Sequence, residues 1–485
     1  MKYIKYLIFA VTGSVFISCD SEKFLNPLPT TVSVQEGFYE SDEDVEQGII
    51  GIYDAIQGVN VNTQTSYANF NRGVQFEFLL TEHRTDNTRG ATTEGSKADF
   101  HRYIIDANNV ESEDYYASMY EVIFRANSVL DFIEVADEAN RAKYAAEAKF
   151  LRAYAYFNLV RLYGDVPLVT SVIAAEDDAA FTRIAVELVY EQIVLDFQEA
   201  IGALDNTYKS RASTAAAQGL LAKVYLSQPS PNYAAAQQLC EDVMGSGFAL
   251  EASFSNVFSN ELNGEIIFAI QYDFDNPLES QSFSAEFTSF VRQGREDGLN
   301  MVNDNLRADF VSAGGNRGAL SFATFGTDSH EVIKFLPEGS DVTTNPATPT
   351  YGASPQDAGN DWIVLRYADV LLMHAEAIMA GAGSTANGSA IDSYMETRIR
   401  AGFDAVADRP SSLSSDDLLI ERRVELAFEN QRFFDLVRFG VADAVLSAHA
   451  AAMGYTEYSA RALLLPIPGA EINLSKGVMT QNPGY

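Results

Sequence analysis

Cysteine, histidine and tryptophan are scarce in this 485-residue chain, with 2, 5 and 1 copies, and 33 Lys and Arg face 67 Asp and Glu. The net charge of -34 excludes partners held through their phosphates, because nucleic acid backbones and anionic membrane surfaces are bound by Lys and Arg. Two cysteines are too few for a disulfide framework. The histidines, His83, His101, His330, His374 and His449, stand at no metal-ligand spacing, and no HExxH, GxSxG, Walker A, GxGxxG or CxxC pattern occurs. With 67 acidic residues, carboxylate pairs at glycosidase spacing arise by chance and carry no weight. What remains is an ordinary apolar content of 47%, enough for a sizeable core.

The one long apolar run comes first. Lys2 and Lys5 precede the stretch Tyr6 to Ile17, and Ser18-Cys19 follows, the layout of an export signal over residues 1–18. About twelve apolar residues fall short of the roughly 20 that a membrane span requires. Cleavage before Cys19 would free its thiol for lipid, so the expectation is a lipoprotein anchored through Cys19, with residues 19–42, including Pro27 and Pro29, as a tether. Cys240, beside Leu239 in a helix-like run, is then expected to be a buried, inert thiol.

Helical spacing dominates residues 43–247. Val45, Ile49, Ile52 and Ile56 form one face, Met119, Ile123, Ala126, Val129 and Ile133 a second, and Ala146, Phe150, Ala153, Phe157 and Val160 a third, closed by Gly164 with Pro167 beyond. Val189, Ile193, Phe197, Ala200 and Leu204 follow, then Ala217, Leu220, Leu221 and Val224, and after Pro229 and Pro231 come Ala236, Leu239, Cys240 and Val243. Paired helices at 120–163, 187–227, 213–246 and 367–402 suggest degenerate repeats of about 34 residues. Residues 58–112 are polar and aperiodic, and residues 248–365 are loop-rich, with short strands expected at Glu265–Tyr272 and Val332–Phe335.

Four stretches in order, Ala146 to Pro167 (AEAKFLRAYAYFNLVRLYGDVP), Leu365 to Ala377 (LRYADVLLMHAEA), Glu421 to Phe439 (ERRVELAFENQRFFDLVRF) and the terminal QNPGY, together with the Cys19 tether, resemble the SusD/RagB family. The resemblance implies a mostly α fold: tetratricopeptide-like helix pairs in a right-handed frame over 43–247 and 366–440, with a loop-rich insertion at 248–365 holding short strands, all in one domain from 43 to 485. It also implies an outer-membrane, cell-surface lipoprotein without catalytic activity. Such a protein captures oligosaccharide and serves as the lid of a TonB-dependent, SusC-like transporter. An oligopeptide ligand is the alternative, and a secreted enzyme or a scaffold binding only the transporter are the remaining ones.

Sugar recognition needs ring faces and planar polar groups outside the core. Tyr67, Asn69 and Phe70 cluster in the early polar segment, and Arg84, Asp86 and Asn87 are carried over from the family's early loops. Arg292, Arg295, Asn300 and Tyr351 come from the insertion. Trp362, ahead of the LRYADVLL stretch, reads as a core residue, so ring platforms fall to Tyr and Phe. Glu421, Glu425 and Glu429, four apart, with Arg422, Arg432 and Arg438 nearby, read as ion pairs holding helices in register. The same applies to Arg366, Asp369 and Glu376, and to Glu147, Arg152 and Arg161. Asp273-Phe-Asp275-Asn276 begins like a calcium loop that Pro277 breaks, leaving room for a structural calcium ion and for no other cofactor.

Overall fold

Apolar stripes at three- and four-residue spacing must be covered, and the helices of this protein cover one another in chain order. The computed structural model describes residues 35–58, 73–92, 95–174, 177–207, 209–274, 276, 279–288, 298–337, 340 and 358–485. Its principal helices are α1 (Asp42–Ile56), α2 (Val110–Asp131), α3 (Glu138–Tyr163), α4 (Val186–Ala203), α5 (Thr214–Ser227), α6 (Tyr233–Met244), α7 (Asp304–Ala313), α8 (Tyr367–Met379), α9 (Gly388–Arg400), α10 (Ser415–Glu425), α11 (Arg432–Arg438) and α12 (Ala442–Met453). From α1 through α2 to α6 each helix packs on the next, and α6 then packs on α8, which packs on α9 and α10. That is the nearest-neighbour order of stacked helix pairs, so the fold is mostly α, as the sequence implied. The chain between α6 and α8 leaves the frame and returns to it.

Local signals set the helix ends. Ser41 Oγ accepts from Asp44 N at 3.3 Å to cap α1, Asn109 caps α2, Ser213 caps α5 and Ser414 caps α10. Gly164, at φ 74°, closes α3. Close crossings use glycine: a Cβ at Gly48 would lie 2.7 Å from Tyr39 Oη and 2.9 Å from Val129, and one at Gly219 would lie 2.5 Å from Leu365. One apolar core runs from Tyr39 to Met479 and includes Cys240, whose thiol burial pushes well up, as expected of an inert cysteine. His374 is likewise buried, its Nδ1 2.8 Å from Ser393 Oγ. Among the described residues no helix is long and apolar enough to cross a membrane.

Besides two-residue strand pairs within the frame (Val166–Pro167 with Arg183–Ile184, Ser384–Thr385 with Leu413–Ser414), the strands belong to the early segment and the insertion: β1 (Thr88–Arg89), β2 (Ile266–Ile270), β3 (Met301–Val302), β4 (Phe322–Phe325), β5 (Ser329–Val332) and β6 (Trp362–Arg366). β1, β3, β5 and β4 form an antiparallel sheet in that order, with Thr88 opposite Val302 and Phe322 opposite Val332. β2 pairs with β6 and carries the chain back to α8.

Four expectations change. The insertion holds a ten-residue helix, α7, where only loops and strands were expected. The second strand lies at Ser329–Val332, with an unforeseen partner at Phe322–Phe325, and not at 332–335. The supposed tether contains a helical turn at Gln35–Phe38. Finally, α10 ends at Glu425, and Phe428 (φ 68°) and Asn430 (φ 60°) swing the chain around, so Glu429 is not on one helix with Glu421 and Glu425.

That turn completes a buried ionic lattice. Arg366 donates to Glu265 at 2.7 Å, to Glu425 at 2.6 Å and to Glu429 at 2.7 Å. Arg317 spans Glu421 at 2.6 Å and Glu425 at 2.7 Å, Lys334 reaches Glu429, and Arg400 pairs with Glu265 and Glu425. Glu265, Arg317 and Lys334 come from the insertion, and the other members from the helical frame and the end of β6. Nearby, Arg422 ties Asp369 to Asp435, Arg438 ties Glu376 to Asp435, and Arg152 pairs with Asp196, the structural roles the sequence suggested.

Removing one member of a buried ion pair costs about 3–5 kcal/mol because its partners stay buried and unpaired. Arg366→Met is therefore expected to lower stability by about 3–5 kcal/mol in chemical denaturation. Arg141→Ala, which breaks a pair whose Glu134 side chain is 82% exposed, should cost less than about 1 kcal/mol. Equal losses would contradict the assignment.

Candidate ligand-binding site

The polar run TEHRTDNT at 81–88 reads as surface and is instead interior. Glu77–Leu80 and Glu82–Arg84 form two short helical turns, after which β1 joins the sheet. Arg84 lies 4.1 Å from the Phe433 ring centroid and donates to Leu80 O at 3.0 Å and to Ala462 O. Asn87 donates to Glu82 at 2.9 Å and accepts from Arg423 Nε at 2.8 Å. Both side chains, expected among the ligand contacts, are buried and make these contacts within the fold. Asp86 is bound by Arg432 at 3.0 Å and Arg423 at 2.9 Å. Burial alone would raise its carboxyl, but the two arginines outweigh burial and hold it down to about 2. Asn300 is also buried, its side-chain amide without a partner among the described residues.

Asp86 nevertheless borders open space. A cleft of about 790 Å³ lies between β1, the start of α7, the β4–β5 turn and α12. Arg89, Asn303, Asp304, Asn305, Arg307 and His330 form its polar wall, while Val445, Ala448 and Met453 of α12 supply an apolar one. Asn303 is fixed by its backbone N–H, which donates to Asn87 O at 2.9 Å, and Asn305 Nδ2 reaches Asp86 at 3.3 Å. Burial lowers His330 and His449 from the ordinary histidine value, which favours their neutral forms. Apolar surface beside planar amides and guanidinium groups is the chemistry of a polyol site. The residues missed in sequence had one signal: Asn303-Asp304 ahead of Leu306 and Phe310 reads as a helix start.

Tyr67, Asn69, Phe70, Arg292, Arg295, Tyr351 and Cys19 lie outside the described residues, as does Asp275 of the broken calcium loop. The described residues that flank the binding candidates converge. Gln57 donates to Gln271 O at 2.9 Å, Gln75 accepts from Ser282 N at 2.9 Å, Gln281 pairs with Ala358, and Leu299 N donates to Glu286 O at 2.7 Å. Beneath them Phe78, Phe283, Phe287, Phe335 and Trp362 form an aromatic knot, with Phe283 5.3 Å and Phe335 5.2 Å from Trp362. Trp362 is thus a core residue, as the sequence suggested. From this knot, residues 298–302 lead directly to the cleft. A second hollow, about 690 Å³, lies nearby on Phe258, Phe274, Asn360 and Asp361. Among the described residues no group of three or more His, Cys, Asp or Glu is placed to hold a metal ion.

Packed helices, a strand-bearing insertion and a cleft between them make up a mostly α protein. The chain belongs to the SusD family: the SusD family model matches residues 335–485, and a model described as "starch-binding associating with outer membrane" matches residues 23–226. Similar proteins include SusD-like protein P2 of Formosa agariphila, 28% identical over 99% of this chain and 100% of its own length. A SusD-like protein of Bacteroides ovatus is 26% identical over 89% of this chain and 82% of its own. Among solved structures, a laminarin-binding SusD-like protein aligns with TM-score 0.73 at 25% identity, covering 92% of this chain and 100% of that one. Surface glycan-binding protein A of Bacteroides thetaiotaomicron, solved with laminarihexaose, aligns with TM-score 0.72 at 22% identity over 91% of this chain and 99% of that one, and shows the same fold.

Because the folded-state pKa of Asp86 is depressed, its carboxylate contributes stability that is present above the unfolded value of about 4 and lost as pH falls through about 2. Asp86→Asn should lower stability at pH 7 and flatten the decline between about pH 4 and pH 2, measured by melting temperature. An unchanged acid limb would contradict the pairing.

Proposed function

We propose that this protein is a cell-surface lipoprotein that captures oligosaccharide or polysaccharide fragments and passes them to a TonB-dependent, SusC-like transporter, over which it closes as a lid. Lipid on Cys19 supplies the membrane attachment that a chain of net charge -34 would not gain from its surface. Capture is noncovalent, and no bond chemistry is assigned.

The observation that carries the reading is the cleft itself, a large hollow with one polar and one apolar wall built where the early segment, the insertion and α12 meet. Membership of the SusD family and the laminarin-binding relative at 25% identity support a glycan ligand. In this reading Tyr67, Phe70 and Tyr351 provide the ring platforms, since the single tryptophan is locked in the knot. Asn69, Arg292 and Arg295 add hydroxyl partners, with Asp86 at the cleft wall.

The test is calorimetry of the detergent-purified protein against a panel of oligosaccharides and oligopeptides. The expected result is oligosaccharide binding that Asn303→Ala or Tyr67→Ala weakens at least about tenfold, equivalent to about 1.4 kcal/mol. Binding of peptides alone would overturn the glycan assignment, and hydrolysis of a bound sugar would overturn the noncatalytic one.

A further inference from the structure

The geometry points to an acidic sugar as the ligand of this cleft, its carboxylate or sulfate ester seated at the N-terminus of α7 against Asn303 and Arg89. This rests on the cleft being a sugar site and goes further by naming the charge of the sugar.

Three observations carry it. The first is the helix start. α7 runs for ten residues; Asn303 stands at the capping position in extended conformation without making the cap hydrogen bond, while Leu306 N in the first turn donates to Asn305 Oδ1 at 2.8 Å. Asn303, Asp304 and Asn305 all line the cleft, so the positive end of the helix opens into it. The second is an orphaned donor. Asn303 is 5% exposed, and its Nδ2 has no partner among the described residues, an arrangement that costs free energy unless a ligand oxygen fills the place. Arg307 Nε, on the same wall, also lacks an acceptor. The third is an uncommitted cation. Arg89 donates to Gly90 O at 3.2 Å and meets no carboxylate at ion-pair distance among the described residues, although acidic side chains are everywhere in excess.

Of the two arginines that line the cleft, Arg307 is paired with Asp304 and Arg89 meets no carboxylate at ion-pair distance among the described residues. Of the cleft's carboxylates, Asp86 is neutralised by Arg423 and Arg432. Asp304, whose carboxylate could answer the helix dipole, is drawn off by Arg307 at 2.7 Å, its side chain 91% exposed. Asp328 accepts from Thr327 at 3.2 Å on the β4–β5 turn. His330 is engaged with Thr324 through Nδ1, and His449 lies on the α12 side. Arg89 and the Asn303 amide are therefore the donors left to meet an anion, beside the exposed carboxylates of Asp304 and Asp328. The protein's overall negative charge does not cancel the pull of these donors, since its field is screened within about 8 Å at physiological ionic strength.

The experiment compares three hexasaccharides binding to the detergent-purified protein in calorimetry: an oligogalacturonate, the same oligomer fully methyl-esterified, and a sulfated galactan hexamer. Charge-assisted hydrogen bonds contribute about 1.5–3 kcal/mol, so at least one charged sugar should bind about tenfold or more tightly than the neutral ester. The uronate and sulfate arms identify which acid is read. Arg89→Gln should bring the charged-to-neutral ratio to within about twofold, and Asn303→Ala should reduce it as well. Folding of each variant is checked by an unchanged melting temperature. A neutral ester that binds as well as both charged sugars, or an Arg89→Gln protein that keeps its preference, overturns the acidic-ligand assignment while the sugar site stands. Failure of all three, and of neutral β-glucan oligomers, would remove the sugar site itself and the inference with it.

Discussion

Four carboxylates buried together cannot remain charged without four cations, and this requirement ties the insertion to the helices. Glu265, Glu421, Glu425 and Glu429 meet Arg317, Lys334, Arg366 and Arg400 in the interior, and Arg398 reaches Glu421 at 3.4 Å. A single lattice fixes the start of β2, the segment after α7, the end of β6, the end of α9 and the turn after α10. Such a cluster adds little net stability compared with an apolar core of equal volume, because desolvation offsets attraction. Its effect is on arrangement: any slip between insertion and frame would strand a charge.

The cleft inherits its shape from that arrangement. Asp86 is held by Arg423 and Arg432, on α10 and α11, while α10 is also anchored through Glu421 and Glu425. The backbone at Asn87 then positions Asn303, so the start of α7 is presented at a defined distance from β1. Residues from four distant parts of the chain, near 86, 303, 330 and 449, thus line one cleft. Binding groups carried on an insertion but locked to a rigid frame combine adaptability in sequence with precision in space.

Much of the frame was legible from spacing and punctuation. Val45 to Ile56, Ala146 to Val160 and the Gly164 stop mark helices because their burial is local and periodic. The site was less legible, for a physical reason. Arg84, Asp86 and Asn87 look like solvent-facing residues, yet Asp86 and Asn87 are satisfied by Arg423 and Arg432 more than 330 positions away, a pairing no local pattern announces. Similarly, Glu421, Glu425 and Glu429 look like one helical face because neither Phe428 nor Asn430 is a glycine that would flag the left-handed turn between them. α12 escaped notice as an alanine-rich stretch, although its Val445, Ala448 and Met453 line the cleft.

The most direct measurement is hydrogen–deuterium exchange of the intact protein with and without a saturating oligosaccharide. If the cleft at α7 and α12 takes the ligand, exchange slows in peptides covering 86–92, 298–307 and 442–453, with the rest of the frame unchanged. Protection confined to 257–274 and 358–363, around the second hollow, would place the ligand elsewhere and contradict this account.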